Sequence, residues 1–437
     1  MAGLTMLIVT ALWVHNGGAQ QLTGGGADAL SAIGRLTGLW ASDLLLLQVL
    51  LMARIPLVER AFGQDRLARW HRWTGFTSFW LMIAHVVLIT LGYAGAAHAN
   101  AFAELWDMVW TYPGMLLATA GTLALVMVVV TSIRAARRKL RYESWHLLHL
   151  YAYAGVGLAL PHQLWTGTDF IGSTTATVYW WTLYAMSAGA VIAYRIGLPV
   201  WRNLRHRLVV ERVAWEGPGL TSVYLTGRRL DRLPVRAGQF FHWRFLDGPG
   251  WSRAHPYSLS AMPHGRGLRI TVKDLGDGSS RVATLRSGTK ALIEGPYGKL
   301  TGETYTGGPV TLLACGIGIT PLLALLGELP YAPGQATLIY RARNEAELAF
   351  REELEWFAAR RGVRVIFLLG QRAARPSWLP ARYADRTDAD ALRQLVPGIS
   401  GSQVYVCGPE AWAEAARTAA RDAGVRPENL HTELFAW

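Results

Sequence analysis

Four histidines in two apolar segments are the residues of this sequence whose type and spacing point most clearly to chemistry. His71 and His85 lie in RWHRWTGFTSFWLMIAHVVL, and His149 and His162 lie in WHLLHLYAYAGVGLALPHQLW. An imidazole inside an apolar segment is costly to bury without a partner, so a functional role is its default interpretation. Neutral imidazole is a common axial ligand of haem iron.

The spacing of these histidines predicts how they face. Fourteen residues turn an ideal helix to within about 40° of the starting face and advance it by about 21 Å, so the first two rings would share a face near opposite membrane surfaces. The 13-residue offset from His149 to His162 turns a helix by about 220° and needs a local distortion. Pro161 can supply it, because its ring removes a main-chain hydrogen bond.

Two cross-helix pairs follow from this spacing. His71 lies level with His149, and His85 lies level with His162, if both segments enter from the same side of the membrane. Such pairs are the ligand sets of two six-coordinate haems. His146, one turn before His149, is an alternative ligand, and a proton relay or a hydrogen-bonded core is the alternative to haem.

Six apolar windows predict an α-helical membrane domain of six helices: 3–15, 38–56, 73–94, 110–132, 147–164 and 175–198. Most approach the roughly 20 residues that a membrane-crossing helix needs. The first is shorter. An incomplete transmembrane helix is favoured there over a signal peptide, because the sequence has no basic leader and no clear A-x-A site.

The distribution of charge predicts the orientation. Fourteen of the 15 Lys and Arg residues before position 208 lie in segments 54–72, 134–141 and 195–207. The positive-inside bias assigns these segments to the cytoplasm, so the domain is expected to be a multi-pass cell-membrane protein with lipid around it and both ends inside.

Composition excludes other classes of protein. The net charge of +13 over 437 residues is accounted for largely by these membrane-flanking segments, so a nucleic-acid partner is not expected. Two cysteines cannot form a Cys-rich zinc or iron–sulfur site. Redox chemistry would therefore need another cofactor.

The segment RIPLVERAFGQDRLARWHRWTG, the paired histidines and the basic loop before the fifth window resemble the ferric reductase and NADPH oxidase superfamily. The resemblance implies that His71 and His149 hold an inner haem b and that His85 and His162 hold an outer one. Arg54 would meet a haem propionate, or serve as an ordinary inside-positive anchor. The resemblance also implies three domains: a transmembrane di-haem domain over 1–205, a FAD domain over 206–302 and an NAD(P)H domain over 303–437.

Short alternating segments after position 207 predict a small antiparallel β-barrel: LVVERVAWE, SVYLTG, GQFFHWRFL, LRITVKD and KALIEGPYG. Within it, AHPYSLS resembles the flavin-binding motif of ferredoxin reductase-like proteins. By that resemblance, Tyr257 and Ser258 contact the isoalloxazine, and His255, followed by Pro256, faces the pyrophosphate. The later VKDLGDGSS resembles the segment that contacts the FAD phosphates, which implicates Gly278, Ser279 and Ser280.

The remainder alternates strand and helix patterns, which predicts a parallel sheet with covering helices. Its first strand runs into GIGITP, where Gly316 and Gly318 would let the backbone approach a pyrophosphate and Thr320 and Pro321 begin a helix. With the later Cys407-Gly408-Pro409, this pattern resembles the nicotinamide domain of ferredoxin reductases. There the cysteine approaches the nicotinamide; the alternative for Cys407 is a small buried strand residue.

Two further features concern the nucleotide. Arg341 and Arg343, expected after the second strand, could grip the 2′-phosphate of NADPH, which is favoured over NADH. They could equally be surface charges. In relatives of this kind a terminal aromatic covers the flavin, and either Phe435 or Trp437 would do so here.

Together the motifs predict an oxidoreductase that passes electrons from cytoplasmic NAD(P)H through FAD and two haems to O2 or ferric chelates outside. The alternatives are a relay subunit that reduces quinone or a dedicated partner protein, and a flavin reductase anchored by a haem-free bundle. His15, Arg35 and His98 are weak candidates for outer-surface groups that would meet the acceptor.

Overall fold

The computed structural model describes residues 2–140, 142–383 and 385–434. The chain divides into two compact units, Met1–Gly197 and Leu198–Trp437. The first unit is helical and the second contains all the strands described. The boundary lies at the end of a π-helical segment, Val191–Gly197.

Eleven α-helices are described in the first unit: α1 Ala2–His15, α2 Gly18–Gln21, α3 Gly26–Met52, α4 Pro56–Phe62, α5 Gln64–Ala97, α6 Ala101–Thr111, α7 Met115–Ser132, α8 Arg134–Arg137, α9 Tyr142–Trp165, α10 Thr168–Ile171 and α11 Thr174–Ala190. Local chemistry marks several ends. Pro56 opens α4, where a missing N–H costs nothing. The Asn100 side chain caps α6 and the Ser173 side chain caps α11.

Four helices are long and apolar enough to cross a membrane among the described residues: Gly26–Met52, Arg66–Ala97, Met115–Ser132 and Thr174–His206. Large apolar side chains on them face outward, and Trp73, Leu123 and Val178 are each more than half exposed. A bundle whose outside is apolar suits a lipid environment. All six predicted windows fall on helices, but a six-span bundle stays a prediction.

The second unit begins with α12, Leu198–His206, followed by six strands: β1 Val209–Gly217, β2 Leu220–Thr226, β3 Phe240–Phe245, β4 His255–Ser258, β5 Leu268–Lys273 and β6 Ala291–Tyr297. They form two antiparallel sheets, ordered β1-β2-β5 and β4-β3-β6. Single bridges join the sheets at both edges, Val209 to Lys290 and Leu259 to Ile270. The predicted antiparallel pairing is confirmed, and a closed barrel stays a prediction.

Alternating burial explains this part of the fold. Every second residue of β6 points into a shared core that contains Phe241, Trp243 and Ile293, none of them more than 1% exposed. Helix α12 packs on the edge of β6, because the Asn203 amide pairs with both main-chain groups of Ile293 at 2.8 Å.

The predicted parallel sheet is confirmed. Its five strands are ordered β11-β10-β7-β8-β9: β7 Val310–Cys315, β8 Ala336–Ala342, β9 Arg364–Leu369, β10 Gln403–Gly408 and β11 Leu430–Leu434. The helices of this unit after α12 are α13 Asp277–Ser280, α14 Ile319–Glu328, α15 Arg351–Arg361, α16 Asp388–Leu395 and α17 Glu410–Asp422. Strand β10 is wholly buried, as expected for a parallel strand covered on both faces.

Candidate functional site

The four predicted histidines meet in two pairs between α5 and α9. The ring centroids of His71 and His149 are 5.9 Å apart, and those of His85 and His162 are 6.5 Å apart. In zinc sites the metal–imidazole nitrogen distance is about 2.0–2.1 Å and a ring centre lies about 1 Å behind its nitrogen, so two rings on one metal would be about 6 Å apart. Both pairs therefore fit a shared metal ion.

Helix α3 orients the two rings of α5. The Nδ1 atom of His71 donates to the main-chain carbonyl of Gln48 at 3.3 Å, and that of His85 donates to the carbonyl of Gly34 at 2.7 Å. Gln48 and Gly34 are as far apart along α3 as the two histidines are along α5. A Cβ on Gly38 would come within 2.5 Å of the His85 ring, so this glycine lets the ring lie against α3.

The rings of α9 are held in the same way. Nδ1 of His149 is 3.3 Å from the hydroxyl of Ser132, and Nδ1 of His162 is 2.7 Å from the hydroxyl of Thr166. An imidazole that bonds through Nδ1 presents Nε2 to a metal, and metal-ligating histidines usually have such a second partner. All four rings therefore have a hydrogen-bond partner at Nδ1.

Helix α3 ends at Met52, and Ala53 caps it. Arg54 comes next and makes an ion pair with Glu59. Its Nη1 is 2.8 Å from Oε1 of Glu59, and both side chains are largely buried. The charge of Arg54 is thus balanced within the protein. Its role at a propionate or as an anchor stays a prediction.

The flavin motif lies on β4 and contains a buried polar atom that lacks a hydrogen-bond partner within the described part of the chain. The hydroxyl of Ser258 is buried and has no hydrogen-bond partner among the described residues. A buried hydroxyl without a partner is costly, so this atom fits a hydrogen bond to a bound flavin. The neighbouring Tyr257 is also buried, and burial raises the pKa of its phenol. Pro256, between it and His255, pairs with His242 of β3.

The phosphate motif contacts the flavin motif. A Cβ on Gly278 would lie 2.4 Å from the ring of His255, so only glycine allows this approach. Ser279 accepts a hydrogen bond from the Leu275 amide at 2.8 Å, and the Ser280 hydroxyl donates to the Gly276 carbonyl at 3.1 Å. The structure thus places the basic residue of one motif beside the small residues of the other, which suits a pyrophosphate.

The two glycine motifs of the parallel sheet also meet. A Cβ on Gly318 would lie 2.3 Å from the carbonyl oxygen of Cys407, and one on Gly408 would lie 2.9 Å from Cβ of Cys315. Gly316 has a φ of +56°, a conformation that favours glycine. Together these glycines bring the ends of β7 and β10 close to the start of α14.

The residues that follow these glycines begin helices. Thr320 is buried in the first turn of α14, where its hydroxyl donates to the Ile317 carbonyl at 3.0 Å, and Pro321 comes next. Pro409 immediately precedes α17. Cys407 is wholly buried, and burial raises the pKa of its thiol well above the usual range. This thiol is neutral near pH 7, so its predicted place beside a nicotinamide would be a packing role.

The two predicted arginines differ in position. Arg341 lies within β8 rather than after it, and it is buried with its guanidinium on the carbonyls of Ala342 and Leu368. Burial lowers its pKa. Arg343 follows the strand and is exposed. Sequence spacing misplaced Arg341, because the strand continues one residue beyond it.

A small opening lies beside the glycine loop. It is lined in part by Gly316, Ile317, Lys273, Tyr340 and Glu347. A cationic and an anionic side chain thus face the same opening next to backbone that a nucleotide could approach. The predicted terminal aromatics, Phe435 and Trp437, lie outside the described residues.

Comparison with known proteins agrees with this arrangement. Residues 37–160 match the family described as "Ferric reductase like transmembrane component", and residues 312–418 match "Oxidoreductase NAD-binding domain". The chain thus contains one segment similar to ferric reductase-like transmembrane domains and one similar to NAD-binding oxidoreductase domains. The ferric reductase-like segment precedes a module that is similar to ferredoxin reductases.

Several curated proteins align with the soluble module of this chain. A flavohemoprotein of Bordetella pertussis is 30% identical over 251 residues, 54% of this chain and 61% of its own length. Ferredoxin–NADP reductase B of Sorangium cellulosum is 29% identical over 208 residues, 46% of this chain and 84% of its own. The chain thus spans less than two thirds of the flavohemoprotein. A solved FAD/NAD-binding domain of nitric oxide dioxygenase from Vibrio cholerae aligns at 22% identity over 53% of this chain and 99% of that one, with a TM-score of 0.42.

Several supporting residues of this chain were not found from its sequence. Gly34, Gly38 and Gln48 position the α5 histidines, and the Gly34-x-x-x-Gly38 spacing, typical of close helix packing in membranes, was the signal for them. Arg269 on β5 makes an ion pair with Glu353 on α15 and joins the antiparallel part to the nucleotide part. No local pattern indicates that pair.

Proposed function

We propose that this chain is a transmembrane oxidoreductase that passes electrons from cytoplasmic NAD(P)H, through FAD and two b-type haems, to a small-molecule acceptor outside. The acceptors that we consider are O2, which would be reduced to superoxide, and ferric chelates. When bound, FAD takes up a hydride and haem iron changes its charge by one electron, so a two-electron donor can feed single-electron transfers.

The observation that carries the proposal is the pairing of four imidazoles at two levels of one helix pair. His71 with His149 would hold one haem and His85 with His162 the other. Each ring has a partner at Nδ1. The carbonyl partners of His71 and His85 require Nδ1 to donate and leave Nε2 for iron, and the hydroxyl partners of the other two rings are compatible with the same tautomer. Among the described residues, no cluster of three or more His, Cys, Asp and Glu side chains could hold a metal ion, which favours pairwise ligation.

The soluble residues would bind and orient the other two cofactors. Ser258 would donate its unpaired hydroxyl to the flavin, and His255 with the adjacent Gly278 would receive the FAD pyrophosphate. The loop at Gly316 would approach the nicotinamide nucleotide beside the start of α14. Exposed Arg343 is the better placed of the two arginines to bind a 2′-phosphate, and it is our reason for preferring NADPH to NADH.

The proposed orientation rests on charge. The basic segments at 54–72, 134–141 and 195–207 would face the cytoplasm in a six-span bundle. The soluble module follows the last of these segments directly, so it would lie in the cytoplasm, where NAD(P)H is available. Lipid would surround the bundle, and no nucleic acid is expected to bind.

The test is the visible spectrum of the detergent-purified chain with FAD, before and after NADPH is added without oxygen. We expect sharp reduced b-type bands that correspond to two haems per chain. His149→Ala should lose one haem, whereas His146→Ala, one turn away on the same helix, should keep both. Absence of haem from the wild-type chain would overturn the proposal. Bands that dithionite reduces but NADPH does not would overturn its flavin and nucleotide part.

Turnover measurements with different acceptors test which acceptor the chain reduces. We expect steady NADPH oxidation with O2 or with a ferric chelate, measured as superoxide or ferrous iron. Slow turnover with both, restored by a quinone or by a partner protein, would favour a relay subunit instead. Fusion of the flavin module to the membrane domain supports the direct enzyme, because relay subunits commonly lack such a module.

A further inference from the structure

A carboxyl group inside the membrane domain takes no part in the proposed function. Asp43 lies in α3, within the candidate membrane span Gly26–Met52, and is 0% exposed. Its Oδ1 accepts a hydrogen bond from the Tyr179 hydroxyl of α11 at 2.7 Å. Its Oδ2 is buried and has no hydrogen-bond partner among the described residues.

Such a group is poorly stabilised as an anion. An ionised carboxylate in hydrocarbon needs a cation or several donors, and a buried acid within a membrane span is a functional site by default. Among the described residues, the Tyr179 hydroxyl of α11 donates to Asp43 and no charged side chain pairs with it. The Thr5 hydroxyl of α1 donates to the Ala2 carbonyl. Helix α2 contributes no charged side chain, because its sequence is GAQQ. The carboxyl oxygen that lacks a partner can therefore take a proton at little structural cost.

Its position along α3 relates it to both histidine pairs. Gly38, which contacts the His85 ring, and Gln48, which bonds to His71, lie five residues from Asp43 on either side. Five residues advance a helix by about 7.5 Å and turn it by about 140°. Asp43 thus lies level with the gap between the pairs, on another face of α3. His71 and His85 are titratable groups of α5 that bond to this helix.

Polar side chains extend from this level toward the outer pair. Ser42, the neighbour of Asp43, accepts a hydrogen bond from Gln163 of α9 at 3.0 Å, and Gln163 in turn accepts one from Tyr184 of α11. Gln163 is adjacent to His162. The interior next to the outer histidine pair therefore contains a connected set of polar groups at the level of Asp43.

We propose that Asp43 is a proton-binding site of the membrane domain, which takes up a proton when an electron enters and releases it when the electron leaves. The inference rests on the proposed function. One electron from the nicotinamide donor adds one negative charge, and one proton from water converts the Asp43 carboxylate to the neutral acid at Oδ2. Transfer of the electron to the acceptor reverses both changes. The low dielectric of the interior makes this compensation favourable, since an added charge interacts strongly with a nearby anion.

The test is a redox titration of the haem bands of the full-length chain at several pH values between about 5.5 and 8.5. Full coupling of one proton to one electron changes the reduction equilibrium tenfold per pH unit, about 59 mV. We expect the wild-type midpoint potential of at least one haem to fall with rising pH over part of this range. In Asp43→Asn this dependence should be lost, and in the control Ser42→Ala it should persist.

A second variant keeps the test decisive if Asp43→Asn does not assemble. Tyr179→Phe removes a donor that stabilises the anion, so it should move the pH-dependent window to higher pH and keep its slope. An unchanged window in Tyr179→Phe, or an unchanged slope in Asp43→Asn, would overturn the inference. A wild-type chain that binds two haems with pH-independent potentials would overturn the proton-binding role of Asp43 and leave the proposed function standing. A chain without haem would overturn both.

Discussion

Replacement of Gly38 by alanine tests the site in the membrane domain directly. The added methyl group would lie 2.5 Å from Nδ1 of His85 and 2.8 Å from Cε1. The ring cannot turn away without breaking its 2.7 Å hydrogen bond to the Gly34 carbonyl. We therefore expect Gly38→Ala to displace this one ligand and to leave the other histidine pair in place.

The size of the effect follows from these two contacts. Overpacking of a tight interior costs about 1–3 kcal/mol, and loss of a hydrogen bond adds about 1 kcal/mol. The total of about 2–4 kcal/mol corresponds to a roughly 30- to 1,000-fold loss of affinity, since 1.4 kcal/mol is tenfold. An affinity reduced that far would leave the outer haem largely unbound after purification.

The assay is the haem content per chain, from the pyridine haemochrome spectrum and the protein concentration. We expect about one haem in Gly38→Ala and two in the wild type. The control is Gly157→Ala on α9, where a Cβ would meet nothing within 4 Å. It should retain both haems, so a general effect of alanine in the bundle is excluded.

One result would refute the reasoning. If Gly38→Ala bound two haems with wild-type midpoint potentials, the His85 ring would not need its close approach to α3. The orientation of the ligand by Gly34 would then have no role in binding. If instead the other haem were lost, the assignment of the pairs to two separate sites would be wrong.

Three further predictions concern the soluble module. Ser258→Ala should weaken FAD binding about fivefold, since about 1 kcal/mol of hydrogen bonding is lost; equal affinities in a flavin-fluorescence titration would contradict the proposed contact. Arg343→Ala should raise the KM for NADPH by about 10- to 100-fold, because a hydrogen bond to a charged group is lost. The KM for NADH should not change. An equal rise in both KM values would contradict a role of Arg343 at the 2′-phosphate. Burial raises the pKa of Cys315 to about 11, so its thiolate is scarce at pH 9 and increases toward pH 11. Iodoacetamide should therefore label it about 50-fold more slowly at pH 9 than an ordinary thiol that is half ionised there. Mass spectrometry would measure the labelling rates of the native and the unfolded chain, and equal rates would contradict the prediction.

The predicted chemistry and the observed geometry can be compared residue by residue. The 14-residue spacing in α5 predicted that His71 and His85 share a face, because helix geometry is regular over such distances. The 13-residue spacing of His149 and His162 in α9 did not by itself predict that both rings face α5. It did not identify the carbonyls of Gly34 and Gln48, since every residue has a carbonyl and only packing selects two of them. The alternation of β6 and the apolar run of β10 were visible in sequence, because burial pattern follows strand geometry.

Other features could not be inferred from local pattern. Strand β11 was missed, because its sequence LHTEL has little apolar alternation and it exists by pairing with β10. Arg341 was expected after the second strand, as a ligand of a 2′-phosphate or a surface charge, yet it lies within β8, where its guanidinium bonds to main-chain carbonyls. Both outcomes depend on neighbours that are distant in the chain, which no window of sequence contains.

Hydropathy and periodicity indicated the membrane domain, the antiparallel and parallel sheets and the residue types at each motif, because both are properties of neighbouring residues. Only the tertiary structure decided which atoms those residues contact: the unpaired hydroxyl of Ser258, the ring of His85 against Gly38, and the buried carboxyl of Asp43 beside Tyr179. The physical reason is that hydrogen bonding and close packing act over a few ångströms between segments that the chain separates by tens to hundreds of residues.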